Sequence, residues 1–89
     1  MADDIEVVGM WYRFINVKKI KSEKEAMALL YELGRRGIAG AISFHDGYLE
    51  IGFLREPTHD ELSFLKQFLQ ADRFEEVDLY EWVFLFCHS

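Results

Sequence analysis

Hydrophobic and polar residues alternate with a period of two in three stretches of the chain, and each stretch predicts β-structure. The first, residues 5–17, is rich in β-branched and aromatic residues and is mostly apolar on both faces, which is typical of a central strand. The second, residues 40–54, consists of two alternating runs that meet at Asp46-Gly47, a dipeptide that favours a two-residue type I′ turn. The third, residues 74–88, predicts the last strand.

The Asp46-Gly47 turn also predicts the register of the hairpin. Residues that pair across antiparallel strands share a face of the sheet, so the register decides which side chains lie together. One face of the hairpin is then apolar, and the other carries polar residues. The expected pairs are His45 with Tyr48, Phe44 with Leu49, Ser43 with Glu50, Ile42 with Ile51, and Ala41 with Gly52.

A stretch with the 3.6-residue period of an amphipathic helix follows the first strand. Ser22 and Glu25 form the S-x-x-E pattern of a capping box, which predicts that the helix begins there. The helix is expected to end near Arg36, because Gly37 can adopt the left-handed conformation that terminates helices. Its buried stripe is expected to contain Ala26, Leu29, Leu30 and Leu33.

A second amphipathic stretch follows the hairpin, after the breaker Pro57. Thr58 and Glu61 form another capping box, and this helix is expected to end near Asp72. Its apolar residues are Leu62, Leu65 and Leu69, flanked by Phe64 and Phe68.

The element order is therefore βαββαβ, and we expect residues 1–89 to form a single α+β domain. This order predicts a ferredoxin-like sandwich with a four-stranded antiparallel sheet in the order 4-1-3-2. Right-handed crossovers place both helices on one face of the sheet, so the other face is left open.

Charged residues decide which side chains lie on that open face. Burying a charge without a partner is costly, so we assign Arg13 of the first strand and Glu81 of the last strand to the open face. Because the first strand lies between the third and the last, Arg13 is expected between Glu50 and Glu81. Tyr12, Phe14, Trp82 and Phe84 then lie beneath the helices. The open face is predicted to be an interface formed by Trp11, Arg13, Ile15, Tyr48, Glu50, Leu79, Glu81, Val83 and Leu85.

The charge balance disfavours a nucleic-acid partner. The net charge is −6, whereas binding to phosphate backbones relies on Lys and Arg. Small βαββαβ domains that bind RNA use the same open face. Residues 46–53 resemble the signature of the RNA-recognition motif at Gly47, Tyr48, Ile51 and Phe53. However, Asp46 and Glu50 stand where that signature has a basic residue and a stacking aromatic residue. We therefore expect no RNA binding.

The remaining residue types indicate neither catalysis nor metal binding. Cys87 is the single cysteine, so an internal disulfide is excluded, and we interpret it as a small apolar residue of the last strand. His45, His59 and His88 are far apart in sequence and indicate no metal or cofactor site. The acidic N-terminus and the absence of a long apolar run in the sequence favour a cytoplasmic protein without a membrane segment.

The open face carries more apolar surface than a soluble monomer usually exposes. The leading hypothesis is a non-enzymatic protein–protein interaction domain, homodimeric through that face, since two-fold dimers are the commonest oligomers. A different protein partner is the next candidate. One alternative is a small-ligand-sensing regulatory module that binds a metabolite between protomers. Another is an acidic effector or inhibitor that occupies a basic surface of a partner, based on the acidic residues between 72 and 81.

Overall fold

The computed structural model describes residues 10–77 of the chain. The four strands of this part form one antiparallel sheet in the order β2-β3-β1-β4. The predicted ferredoxin-like α+β fold and its strand order are confirmed. The elements are β1 (Met10–Ile15), α1 (Glu23–Arg35), β2 (Ala39–His45), β3 (Tyr48–Phe53), α2 (His59–Leu69) and β4 (Arg73–Val77).

Two elements are shorter than the sequence pattern suggests. The first strand ends at Ile15 rather than at residue 17, because Asn16 has a φ of 56°, in the left-handed region that asparagine tolerates better than most residues. Helix α2 ends at Leu69 rather than near Asp72, because Gln70 takes the same left-handed conformation. The predicted extensions of the first and last strands, at residues 5–9 and 78–88, lie outside the described residues.

The β2–β3 hairpin has the predicted register at every expected pair, from His45–Tyr48 to Ala41–Gly52. The predicted turn type is wrong. A type I′ turn needs positive φ at both central residues. Gly47 has a φ of 96°, but the φ of Asp46 is not positive. The positive φ therefore falls on the residue without a side chain.

The helix ends form largely as the capping patterns predict. Thr58 and Glu61 form a complete capping box at α2. At α1, the Ser22 side chain accepts a hydrogen bond from Glu25 N, but the Glu25 carboxylate accepts from Lys21 N instead of closing the box. The predicted α1 terminator is confirmed, because Gly37 has a φ of 73°.

Both helices pack against one face of the sheet, and the hydrophobic core lies between them. The buried helix residues include Ala26 and Leu33 of α1 and Leu62 and Leu65 of α2, as their spacing predicts. Neither helix of the described segment is long and apolar enough to cross a membrane. Among residues 10–77, the large side chains with no solvent exposure are Phe14, Leu49, Ile51 and Leu69.

The connection from α2 to β4 determines how β4 pairs with β1. Asp72 N donates to the carbonyl of Ile15 at 2.8 Å. The Asp72 carboxylate accepts hydrogen bonds from Asn16 Nδ2 at 2.7 Å and Lys18 Nζ at 2.9 Å, and these donors lower its pKa. Strand β4 therefore begins at Arg73, directly opposite Ile15.

Candidate functional site: the open sheet face

The face of the sheet opposite the helices is formed by alternate residues of the strands. Phe14 is completely buried, whereas its neighbours Arg13 and Ile15 are half-buried. Arg13 pairs with Glu50, and Ile15 pairs with Tyr48. The structure thus brings together the five predicted interface residues of the described segment, Trp11, Arg13, Ile15, Tyr48 and Glu50. The other four, Leu79, Glu81, Val83 and Leu85, lie outside the described residues.

Arg13 lies at the centre of this face between two carboxylates. Its Nε and Nη2 lie 3.0 Å and 2.9 Å from Glu50 Oε2, and its Nη1 lies 3.5 Å from Glu75 Oε2. The hydrogen bond to Glu50 raises the pKa of Arg13. The prediction that Glu81 stands opposite Arg13 is wrong, because the β1–β4 register places Glu75 there.

Tyr48 lies between two planar groups. Its ring stacks on the His45 imidazole with a centroid separation of 4.5 Å and an interplanar angle of 12°. The Arg13 guanidinium carbon lies 5.1 Å from the Tyr48 ring centroid, a distance at which a cation is attracted to the ring. These contacts fix the Tyr48 ring from both sides.

Polar contacts extend from these residues to Ser43 and Glu50. The His45 ring nitrogen Nε2 is hydrogen-bonded to Ser43 Oγ at 2.7 Å and lies 3.5 Å from Glu50 Oε1. The Glu50 carboxylate therefore lies close to both His45 and Arg13. Only 12% of the Glu50 side chain is exposed, compared with 35% of Arg13 and 37% of His45, so this carboxylate depends on its partners.

The Trp11 side chain covers Gly52, its partner on β3. A Cβ atom added at Gly52 would lie 2.9 Å from Trp11 Cε2 and Cζ2, so the indole lies directly over this glycine. A residue with a side chain at position 52 would displace the ring. The Trp11 ring therefore lies close to the sheet.

Strand β4 contributes residues that the sequence analysis did not assign to the face. Arg73, Glu75 and Val77 pair with Ile15, Arg13 and Trp11 and so share their face. The sequence offered no signal for this register, because the position of Arg73 opposite Ile15 depends on where α2 ends and β4 begins. The described part of the face contains two arginines and two glutamates, so the net charge of these four residues is zero. They are Arg13, Arg73, Glu50 and Glu75.

A cleft of about 350 Å³ lies at the hairpin end of the sheet. Its lining includes the apolar residues Val17, Ile20 and Phe44, the charged residues Lys21 and Asp46, and His45 and Tyr48 of the open face. Pockets near this size can hold small molecules.

Metal ligands do not cluster in the described segment: no three His, Cys, Asp or Glu side chains between residues 10 and 77 are grouped to hold an ion. Neither a protein-family model, nor a curated protein, nor a solved structure matches this chain. The residues of the open face are therefore the basis on which its function can be inferred.

Proposed function

We propose that this chain is a non-enzymatic protein–protein interaction domain that forms a homodimer through its open sheet face. The observation that carries the proposal is the half-buried group of large side chains, with Trp11, Ile15 and Tyr48 on the face away from both helices. Aromatic residues and arginine are enriched at protein interfaces. A second protein surface would remove this apolar area from water.

The charge distribution favours a second copy of the chain as the partner. The chain has a net charge of −6, so two copies repel each other over most orientations. The two arginines and two glutamates in the described part of the open face balance, so this part of two faces can approach without net repulsion. A polyanionic partner such as RNA would gain no attraction from the same surface.

The ionic groups also supply complementary contacts for a two-fold arrangement. Arg73 forms no ion pair with any residue between 10 and 77, and Glu75 remains 46% exposed while it contacts Arg13. In an isologous interface each contact occurs twice. Pairing of Arg73 with Glu75 of the second copy would therefore satisfy both arginines of the face.

The preformed network supports binding rather than chemistry. Glu50 and Arg13 are held by each other, and Tyr48 is fixed by stacking, so little side-chain freedom remains to be lost on association. A flat face of this kind suits packing against another sheet. It does not form the enclosed site in which general acid–base catalysis is most effective.

A second candidate function is a regulatory module that binds a metabolite between protomers. The cleft lined by Val17, Ile20 and Phe44 favours it, because the cleft borders the proposed interface at Tyr48. Under this alternative, a small molecule would strengthen the dimer. Screening a metabolite collection by thermal shift would identify such a ligand, which would then raise the dimer fraction in sedimentation.

Sedimentation equilibrium from micromolar to millimolar concentrations tests the dimer. We expect the mean mass to rise with concentration above that of the monomer, and Trp11→Asp to associate much more weakly than wild type because it places a charge within the open-face interface. Tyr31→Asp is the matched control, since Tyr31 is a 69% exposed aromatic residue on α1 and not on the sheet. A wild-type chain that stays monomeric throughout, or equal association of both variants, would contradict the proposal.

A further inference from the structure

Strand β2 lies at one end of the sheet, and its outer edge pairs with no other strand in the part of the chain between residues 10 and 77. Edge strands are usually protected from further pairing by charged residues or proline. The sequence of β2, AGAISFH, contains no Lys, Arg, Asp, Glu or Pro. A bulge disturbs only its beginning, between Ala39 and Ala41, which leaves residues 41–45 as a regular unprotected edge.

The core is also incompletely covered along this edge. Ile42 and Phe44 lie on the helix face and are only half-buried, whereas their partners on β3, Ile51 and Leu49, have no exposure at all. The difference arises because β3 has a neighbour on each side and β2 has one. A further strand beside β2 would bury these two apolar side chains and satisfy the free backbone groups of the edge.

We propose that β2 pairs antiparallel with β2 of a second copy, so that two sheets join into one continuous eight-stranded sheet. The charges at the two ends of β2 identify the occupant. Arg35 and Arg36, just before the strand, share the single carboxylate of Glu32, which leaves one net positive charge at that end. Asp46, just after the strand, forms no ion pair among the described residues.

Antiparallel self-pairing brings these two ends together. The Asp46 end of each copy meets the Arg36 end of the other, and the two-fold axis repeats the contact. Parallel pairing would place like ends side by side. An extended peptide of another protein would need to supply the same arrangement of charges, whereas a second copy provides it.

The edge contact is separate from the open-face dimer and does not depend on it. A two-fold axis that relates antiparallel edge strands is perpendicular to the sheet, whereas the axis between two stacked sheets runs parallel to them. The two contacts are therefore compatible in one closed tetramer with D2 symmetry. Loss of either contact leaves the other intact.

Amide hydrogen exchange tests the edge contact directly. We expect the β2 amides that are not bonded to β3 to exchange quickly in dilute samples and to gain protection as the concentration rises. The Trp11→Asp variant, in which the open-face dimer is removed, should show the same gain. If the outward amides of β2 exchange at a rate independent of concentration in both proteins, the edge contact is refuted, whatever becomes of the open-face dimer.

Charge reversal tests the choice of partner and orientation. In the Trp11→Asp background, Asp46→Lys should raise the dissociation constant of the edge dimer roughly tenfold, because two ion pairs become two repulsions. Adding Arg36→Glu should restore association, since the pairs re-form with the charges exchanged. Asp46 and Arg36 are both exposed. Asp46→Asn controls for effects on the turn, and we expect it to give an intermediate dissociation constant. Equal constants for all of these variants would overturn the antiparallel self-pairing.

Discussion

The indole of Trp11 lies flat on Gly52, at a distance where a single added Cβ atom would come within 2.9 Å of the ring. The two residues pair across β1 and β3. The absence of a side chain at position 52 is thus what allows a large aromatic ring to lie close to the sheet.

Gly52→Ala should consequently weaken the dimer without unfolding the chain. The added methyl group cannot coexist with the indole position, so Trp11 must rotate away from the sheet. We expect a shifted indole N–H resonance for Trp11 and a higher dimer dissociation constant. Gly34→Ala is the control, because its Cβ would meet Ala39 O at an ordinary 3.5 Å. An unchanged indole resonance in Gly52→Ala would contradict the packing described.

Gly47→Val should destabilise the fold by about 1–2 kcal/mol, because a β-branched residue resists the positive φ of this turn. No neighbouring atom lies within 4 Å of the added Cβ, so the loss reflects the backbone alone. Gly47→Asn should lose less stability than Gly47→Val, since asparagine tolerates positive φ better than valine does. Urea unfolding of both variants checks the order, and equal stability of wild type and Gly47→Val would show that the turn is misassigned.

Neighbouring residues of β1 should respond very differently to truncation. Phe14→Ala should cost about 3–5 kcal/mol in the free energy of unfolding, because Phe14 has no exposure and its removal leaves a cavity. Ile15→Ala, on the open face, should cost the monomer much less and should mainly weaken association. Denaturation at low protein concentration separates the two effects. The opposite ranking would mean that the faces of β1 are exchanged.

The start of α2 should lose stability in acid. Hydrogen bonds from Arg55, and then from the backbone of Thr58, lower the pKa of Glu61 to about 2. Because the folded-state pKa lies below the unfolded value of about 4.3, this carboxylate stabilises the fold above that value. The contribution is lost as the pH falls toward 2.

Glu61→Gln should therefore reduce the free energy of unfolding by about 1–2 kcal/mol at pH 7 and by little near pH 2. Glu56→Gln, which removes a nearby exposed carboxylate, should change stability little at either pH. Thermal melts across this range make the comparison. A loss in Glu61→Gln that is equal at both pH values would exclude a role for the charge.

The alternation of apolar residues predicts the faces of this sheet but not every register. The hairpin register follows from the two-residue Asp46-Gly47 turn, which permits only one pairing. Strands β1 and β4 have no such turn between them. Shifting β4 by an even number of residues keeps each side chain on its predicted face, so Glu75 and Glu81 are indistinguishable by pattern.

The register between β1 and β4 is determined by three-dimensional contacts at the end of α2. Gln70 ends the helix in the left-handed region, and Asp72 then binds both Ile15 and Asn16. These contacts start β4 at Arg73. The lengths of the helix and of its connection, rather than hydrophobicity, thus decide that Glu75 faces Arg13. Propensity and capping patterns locate such boundaries only to within a few residues.

Removal of the Arg13 side chain distinguishes most clearly between an open-face dimer and other modes of association. It contacts Glu50 and Glu75 and is itself 35% exposed in the single chain. A second sheet would desolvate this group of charges. Removing one member of a buried ion pair costs on the order of 3–5 kcal/mol, since the remaining charge is left unpaired, whereas an exposed pair is worth at most about 1 kcal/mol.

The most direct test is the dimer dissociation constant of Arg13→Ala, measured by sedimentation equilibrium beside wild type and the paired Glu50→Ala, Glu75→Ala variant. Circular dichroism at low concentration should show a native fold for Arg13→Ala. We expect its dissociation constant to rise roughly a hundredfold or more, as the cost of an unpaired buried charge requires. The paired variant should also associate weakly, because Arg13 then faces its counterpart without a carboxylate. A dissociation constant for Arg13→Ala equal to that of wild type would contradict the open-face dimer.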